Sequence, residues 1–435
     1  MTVNSPIRSP LRSPLYSPSV GKWGGASPLA LFARAATQRI DIVGIGDSNQ
    51  VLSGFGWDDG IQYAMSRYFP MYATGLISQN ENNGSGSGLG YLYNRAGALI
   101  GATSGAPAGL DKYLNRGLGG LFPARYTYVA DGSSVGSNTT IGLVLAANCP
   151  LDNGGPLECD LHWGSFDSGA GTFRPFARLG QSPFTTLAVA ASPISTNTGA
   201  IAMQRTTLSM AANPARSSQP VEFKPTRTGT DGITGPYFST FMRVSNPVRT
   251  TGYCYHTLEY RGGESARTMA YDLQQATDDT LSYYFAEVRR LQGASKCVII
   301  MVNSGLNDRL EALTSVGPAA VADGDSPEAF VDNCTAITQR IQAIWTLNAW
   351  SQDELHFVFM VSHPVSDPDD AELISYRSAI AAYAATLDQG YTIDLADKIS
   401  SAQMLANGWY ASGGVDKSHM TLAGYEGMGL LAVTT

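Results

Sequence analysis

A chain of 435 residues, 43% hydrophobic and only 15% charged, is expected to fold as a globular protein longer than one ordinary domain, which argues for two domains or one domain with a large insertion. Its formal net charge of −8, with no basic run beyond the N-terminus, excludes nucleic acid as the natural partner. No apolar run reaches the roughly eighteen residues of a transmembrane helix, which excludes membrane insertion by that route.

The N-terminal segment starting at Met1 lacks the apolar core of a signal peptide, so no export by the general secretory route is expected. The five cysteines, Cys149, Cys159, Cys254, Cys297 and Cys334, show no CxxC spacing and read as reduced and buried, with a Cys149–Cys159 pair left open. The five histidines are scattered without ligand spacing, so neither a metal nor another cofactor is expected.

In chain order, residues 1–28 repeat Ser-Pro with Arg or Tyr between them. Proline at this density forbids helix and sheet ladder, which leaves an extended arm outside any core. Two readings stand for it, a disordered tail or an arm that orders against a larger assembly. A short helix over Leu29–Arg39 leads into an apolar run, Ile40–Ile45, that reads as a buried parallel strand. Gly46-Asp47-Ser48 then turns out of the strand, and Ile61, Met65 and Tyr68 mark a helix over Trp57–Phe69, stopped by Pro70. The glycines of 83–90 read as a crossing into another unit.

From residue 95 to 252 helical periodicity gives way to short β-rich runs at Tyr126–Val129, Ile141–Leu145, Cys159–Trp163 and Phe238–Val244. Gly, Asn, Ser and Pro clusters separate them, the pattern of an inserted all-β, jelly-roll-like sandwich. Trp163, Phe166 and Phe173 are either its core or a platform for a sugar.

The α/β texture resumes at 253. Strands are expected at Tyr253–Tyr260, Lys296–Asn303, Leu355–Val361 and Tyr391–Leu395. Helices are expected after Gly263, at Asp279–Leu291, 326–350, Asp370–Leu387 and Thr421–Leu431. The alternation implies a parallel sheet in a three-layer α/β/α sandwich, divided as 29–94 and 253–435 around the insertion.

Three motifs carry chemistry. Gly46-Asp47-Ser48 stands at the carboxyl end of the first strand, where α/β sheets hold their ligands. Gly305-Leu306-Asn307-Asp308 follows the apolar strand, and Asp416-Lys417-Ser418-His419 precedes the last helix. A serine hydroxyl needs a base to take its proton, and that base needs a carboxylate to orient it. Asp416 and His419 supply both from one turn, with Thr421 capping the helix that comes after them.

In this order the motifs resemble the SGNH (GDSL-type) hydrolases over residues 38–70 and 253–433. The resemblance implies Ser48 as nucleophile, His419 as base then acid, and Asp416 as its orienting carboxylate. It implies an oxyanion hole from the Ser48 N–H, a glycine N–H in Arg261-Gly262-Gly263-Glu264, and Asn307. Gly263 is preferred and Gly262 is the alternative. The same segments exclude the ordinary α/β-hydrolase fold, because Gly-x-Ser-x-Gly is absent around Ser48.

The implied activity is a metal-free serine esterase removing small acyl groups, acetyl above all, from a decorated polysaccharide or oligosaccharide. Trp409 and Tyr410 are either candidates to stack on the sugar or aromatics of the core. The Arg-Ser-Pro leader resembles that of some phage and prophage structural proteins, which implies synthesis in the bacterial cytoplasm and attachment to a virion or a homo-oligomer. Two alternatives remain: a virion receptor-binding protein with a vestigial hydrolase fold, and a lipid or thioester hydrolase.

Overall fold

A computed structural model of the chain describes residues 28–46, 56–78, 93–96, 127–129, 134–135, 142–145, 147, 149–169, 171–179, 185–216, 218–225, 233–235, 237–260, 265–309, 326–361, 363–365, 371–414 and 416–434. The Ser-Pro arm up to residue 27, the glycine run 83–90, Ser48 and Gly263 lie outside them. Among the described residues no helix is long and apolar enough to cross a membrane.

Helix α1, Leu29–Ala33, is shorter than expected because the chain tightens into a 3-10 turn at Arg34–Ala36 and feeds directly into strand β1, Arg39–Gly46. Helix α2 spans Trp57–Ser66. A run of strands comes next: β2 (Ile77–Ser78), β3 (Tyr93–Ala96), β4 (Thr127–Val129), β5 (Ser134–Val135), β6 (Gly142–Leu145), β7 (Leu157–Ser165), β8 (Thr172–Phe173), β9 (Phe176–Leu179), β10 (Thr186–Val189), β11 (Ile194–Ser195), β12 (Ala202–Met210), β13 (Val221–Lys224), β14 (Ile233–Thr234) and β15 (Tyr237–Ser245). The chain then returns through β16 (Gly252–Tyr260), α3 (Ala266–Gln275), α4 (Asp278–Arg290), β17 (Val298–Ser304), α5 (Leu306–Arg309) and α6 (Pro327–Leu347). It closes with β18 (Leu355–Val361), α7 (Ala371–Ala384), β19 (Gly390–Ile393), α8 (Ser401–Ala406), β20 (Tyr410–Ala411), β21 (Asp416–Met420) and α9 (Leu422–Thr434).

The parallel sheet has the order β16-β1-β17-β18-β19. Counting its strands along the chain, this is 2-1-3-4-5, a doubly wound order whose direction switches between the first and third strands. Alternation along the strands sorts the two faces. Ile40, Ile42, Ile299, Met301, Val358 and Met360 pack with α1, α2 and α9, whereas Val43, Ile45, Val298, Ile300, Phe357 and Phe359 pack with α3, α4, α6 and α7. Near-continuous apolar strands are therefore covered on both sides, as a buried parallel sheet requires.

The segment between β1 and β16 pairs antiparallel, in sheets ordered β10-β9-β13-β6-β3, β11-β8-β14-β5 and β12-β7-β15-β2, with β4 added to β15. Antiparallel pairing begins ahead of residue 95, since Ile77 faces Met242 and Ala73 bridges Ser245. Trp163, Phe166 and Phe173 are buried here. The Trp163 and Phe173 rings meet edge-on at 5.1 Å, and Trp163 Nε1 donates to Thr206 Oγ1 at 3.0 Å, so of the two readings these aromatics are core. All five cysteines are free and buried, and the open Cys149–Cys159 pair is not formed. Burial pushes the Cys149 thiol up to about 11, and desolvation raises Cys159 further, which keeps both protonated.

A buried ionic seam fastens this β-region to helix α4. Arg243 of β15 donates to Asp160 Oδ2 of β7 at 3.0 Å, to Glu287 Oε2 at 3.3 Å and to the Glu287 carbonyl at 2.6 Å. Arg205 of β12 pairs with Glu287 at 2.5 Å, and Arg290 pairs with both acids. Burial alone would raise the Asp160 carboxyl, but the Arg243 and Arg290 guanidiniums outweigh it and hold it below the ordinary value. In the same seam His162 Nδ1 shares a 2.7 Å hydrogen bond with the Tyr283 hydroxyl, while its Nε2 has no partner among the described residues. An imidazolium there would bury an unsatisfied N–H, and burial drives His162 down to about 3.

Arg243→Ala strands two buried carboxylates and should lower stability by about 3–5 kcal/mol, read from urea denaturation; a loss below about 1 kcal/mol would show that the seam is solvated. His162 stays neutral when folded but protonates in the unfolded chain below about pH 6.5. Stability is therefore intact above that pH and falls as the pH drops toward 3, by up to about 1.4 kcal/mol per pH unit for this group. In His162→Gln that part of the slope should vanish from acid-denaturation curves.

Candidate active site

At the carboxyl end of the sheet Gly46 of β1 faces Tyr260 of β16 on one side and Asn303 of β17 on the other. This is the switch point of the strand order, the place where open parallel sheets as a class hold their ligands. Ser48 follows β1 by two residues and Gly263 follows β16 by three, both outside the described residues.

Beyond β17 the chain turns at Gly305, whose φ of 112° lies in the left-handed region that glycine accommodates. That turn delivers Asn307 on the short helix α5. Asp308, next to it, is fully buried and accepts from Ser304 Oγ at 2.7 Å and Gly305 N at 3.0 Å. Asn303 ties the start of α2 to the same strand end: its side-chain oxygen accepts Trp57 Nε1 at 2.8 Å and its amide donates to the Met360 carbonyl at 3.2 Å.

The third motif lies on β21, beside β20. Tyr410 pairs with Met420, but the next residue, Ala411, pairs with Asp416. One step on β20 is thus matched by four on β21, and Lys417, Ser418 and His419 loop out between the two pairs. The single turn expected from the sequence is in the structure a bulge inside a strand. Thr421 Oγ1 then accepts Gly424 N at 3.2 Å, capping α9 as expected. Of the five histidines, four are buried; His419 alone is half-buried.

Helices α2 and α9, which follow the first and third motifs, interlock. A Cβ at Gly60 would overlap the Tyr425 carbonyl and one at Gly429 would overlap the Gly60 carbonyl, so the backbones touch directly. Trp57 and Tyr425 close the same contact edge-on at 5.8 Å. This sets the first turns of α9 against the first turn of α2.

Of the two readings for the aromatic pair, the structure gives Tyr410 to the core. Tyr410 is 1% exposed, and its hydroxyl bonds the Pro364 carbonyl at 2.5 Å and Ser401 Oγ at 2.8 Å, so it presents no face to a sugar. Trp409 is half-buried and packs against the core beneath α9. Neither neighbour in sequence betrays this; the alternation along β20 does.

A second cluster, invisible as a motif, gathers Asp41, Cys254 and His256 at the opposite end of β1, where parallel register sets Asp41 against Cys254. Their donor atoms are close enough to suggest a metal, but the hydrogen bonds oppose it. His256 Nδ1 accepts Leu76 N at 3.0 Å, so the neutral ring carries its proton on Nε2 and donates it to Asp41 Oδ1 at 2.8 Å. Gln292 donates to the other Asp41 oxygen. Burial depresses His256 and keeps it neutral. The cluster is a satisfied structural core.

No protein-family model and no curated protein matches the chain. Solved structures similar to it include a peptidoglycan O-acetylesterase, 12% identical with 94% of each chain covered and a TM-score of 0.46. An acetyl xylan esterase, Est2A, from the rumen bacterium Butyrivibrio proteoclasticus is 12% identical over 62% of this chain and 86% of that one, with a TM-score of 0.23. A family two carbohydrate esterase from Cellvibrio japonicus is 10% identical over 69% and 92%, with a TM-score of 0.26. All three likenesses are distant.

If the Asp41 cluster is structural, a chelator leaves the melting temperature unchanged, while Asp41→Ala lowers stability by about 1–3 kcal/mol by stranding the His256 and Gln292 donors. A melting temperature that rises with added zinc would contradict this.

Proposed function

We propose that this protein is a serine esterase of the SGNH type that removes small acyl groups, acetyl foremost, from a carbohydrate. The reading is supported by three observations: β1 and β17 end side by side at the switch point of a 2-1-3-4-5 parallel sheet, α9 packs directly on α2, and His419 is half-buried where the other four histidines are buried. A general base must be reachable by the proton it takes, which the four buried histidines are not.

In the proposed reaction the Ser48 hydroxyl attacks the acyl carbonyl carbon as His419 takes its proton. Asp416 holds the ring and stabilises the imidazolium that forms. The oxyanion of the tetrahedral intermediate is held by the N–H groups of Ser48 and Gly263 and by the Asn307 amide. Collapse breaks the ester C–O bond, His419 returns its proton to the departing sugar oxygen, and the acyl group remains on Ser48. Water, deprotonated by His419, then attacks that acyl-enzyme, releasing acetate and restoring the serine. Nothing in this sequence of steps calls for a metal or another cofactor.

The β-region, read as a jelly-roll-like sandwich, is assigned the role of a carbohydrate-binding module. Its attachment to α4 through a seam of paired charges supports a fixed orientation against the hydrolase sheet.

The test is acetate release from an O-acetylated bacterial polysaccharide, with a short-chain aryl acetate as control. Ser48→Ala should abolish both activities, and Asn307→Ala should reduce kcat by about 100- to 1,000-fold. Turnover of the aryl ester alone would keep the chemistry and remove the polysaccharide. Absence of any turnover, with Ser48 refusing a fluorophosphonate label, would leave a binding protein on a hydrolase scaffold.

A further inference from the structure

The hairpin that carries His419 also carries an aromatic side chain to which the proposed reaction gives no task. Tyr410 of β20 pairs with Met420 of β21, and both side chains are buried. Trp409 and His419 each precede one member of that pair, and both are half-buried. The pairing reaches Trp409, whose carbonyl accepts Thr421 N at 2.8 Å. Successive residues of a strand point to opposite faces, so Trp409 and His419 share the outward face of the hairpin. Across the antiparallel pair they are diagonal neighbours, a relation that spans about 7–8 Å.

Helix α9 seats the indole. A Cβ at Gly427 would overlap Cζ2, Cη2 and Cε2 of the Trp409 ring, and one at Gly424 would lie 3.1 Å from the Trp409 Cβ. The six-membered ring therefore lies directly on Gly427, and the part of the indole left accessible faces away from α9. Leu405 and Leu422, 48% and 36% exposed, stand close by. Gly408 N bonds the Leu405 carbonyl at 3.0 Å, and Leu422 follows Thr421. An aromatic ring and two leucines kept partly in water form the kind of surface that a ligand covers.

The chemistry decides which part of an ester belongs there. The general acid delivers its proton to the departing alcohol oxygen, so whatever flanks His419 meets the alcohol rather than the acyl group. A pyranose offers a flat face of C–H groups, weakly positive beside their oxygens, and the face of an indole is negative. The hydroxyls lie round the edge of the sugar and keep their water.

We propose that Trp409 is the platform for the sugar ring that bears the ester, an inference that rests on the esterase reading and adds to it a residue that selects the alcohol. One pyranose, stacked on the indole with its ester oxygen toward His419, fills the diagonal between the two side chains.

The test compares a methyl glycoside carrying one O-acetyl group with ethyl acetate, which has no ring to stack. In Trp409→Leu, kcat/KM for the glycoside should fall about five- to tenfold, mostly through KM, while that for ethyl acetate stays within about twofold. Trp409→Tyr restores an aromatic face and should recover most of the loss. Gly427→Ala keeps the indole but drives it from its seat, and alanine favours the helix, so α9 is preserved. It should reproduce the selective loss, and it serves if Trp409→Leu does not fold. Equal losses on both esters, or no loss on either, overturn the platform while leaving the esterase standing. So does a changed preference between acetate and butyrate esters of one alcohol, which would put Trp409 on the acyl side. Wild-type protein that hydrolyses neither ester overturns both.

Discussion

The architecture depends on β1 being paired on both edges. Residues Asp41 to Gly46 face β16 on one side and β17 on the other, and the strand is buried on both faces. A strand so placed has no freedom to slip: a one-residue shift would exchange Ile40 and Ile42 for Asp41 and Val43 beneath α2 and α9. At the carboxyl end of β1, Gly46 is therefore fixed between Tyr260 and Asn303, and the irregularity between Gly44 and Ile45 against β16 falls at this end.

Insertion of a large β-region between β1 and β16 is compatible with that constraint because the region leaves and returns on the same side of the sheet. What keeps it from swinging is the Arg243–Asp160–Glu287 seam. Buried ion pairs contribute little net stability compared with apolar packing of the same volume, but they tolerate only one arrangement. Three arginines and two acids, with Thr207 also donating to Asp160 at 2.7 Å, satisfy one another in a single register of β7, β12 and β15 against α4. The seam acts on orientation more than on free energy.

Much of this was legible in the residues. Leu355–Val361 reads as a strand to the residue, since a run of seven with His356 its one polar member, bounded by polar turns, has little alternative. The strand of β1 and the helices α2, α4 and α6 were readable to within three residues for the same reason, and the strand alternation implied the three layers. The motifs at Asn307 and Asp416–His419 were visible because their spacing is local. The seam was not, because Asp160, Arg243 and Glu287 are ordinary charged residues until tertiary pairing brings them together. The Asp41–His256 contact was hidden likewise, being created by parallel register between distant strands. Tyr410 is a different case: an aromatic beside a motif reads equally as available or as core, and its burial and the bonds of its hydroxyl decide for the core. The bulge of β21 was read as a turn, since both leave residues unpaired between the acid and the helix.

The direct backbone contact of α2 with α9 has a consequence for biosynthesis. The ribosome releases α2 early and α9 after every other described element. At about 5–20 residues per second the interval between them is on the order of tens of seconds. During that time Gly60, Ile61 and Met65 lack the surface that covers them in the finished protein, and the segment carrying His419 has not yet emerged. A chain stalled or truncated before α9 therefore exposes an apolar helix face to chaperones, and the two helices that touch through their backbones close on each other only once the rest of the described fold has been synthesised.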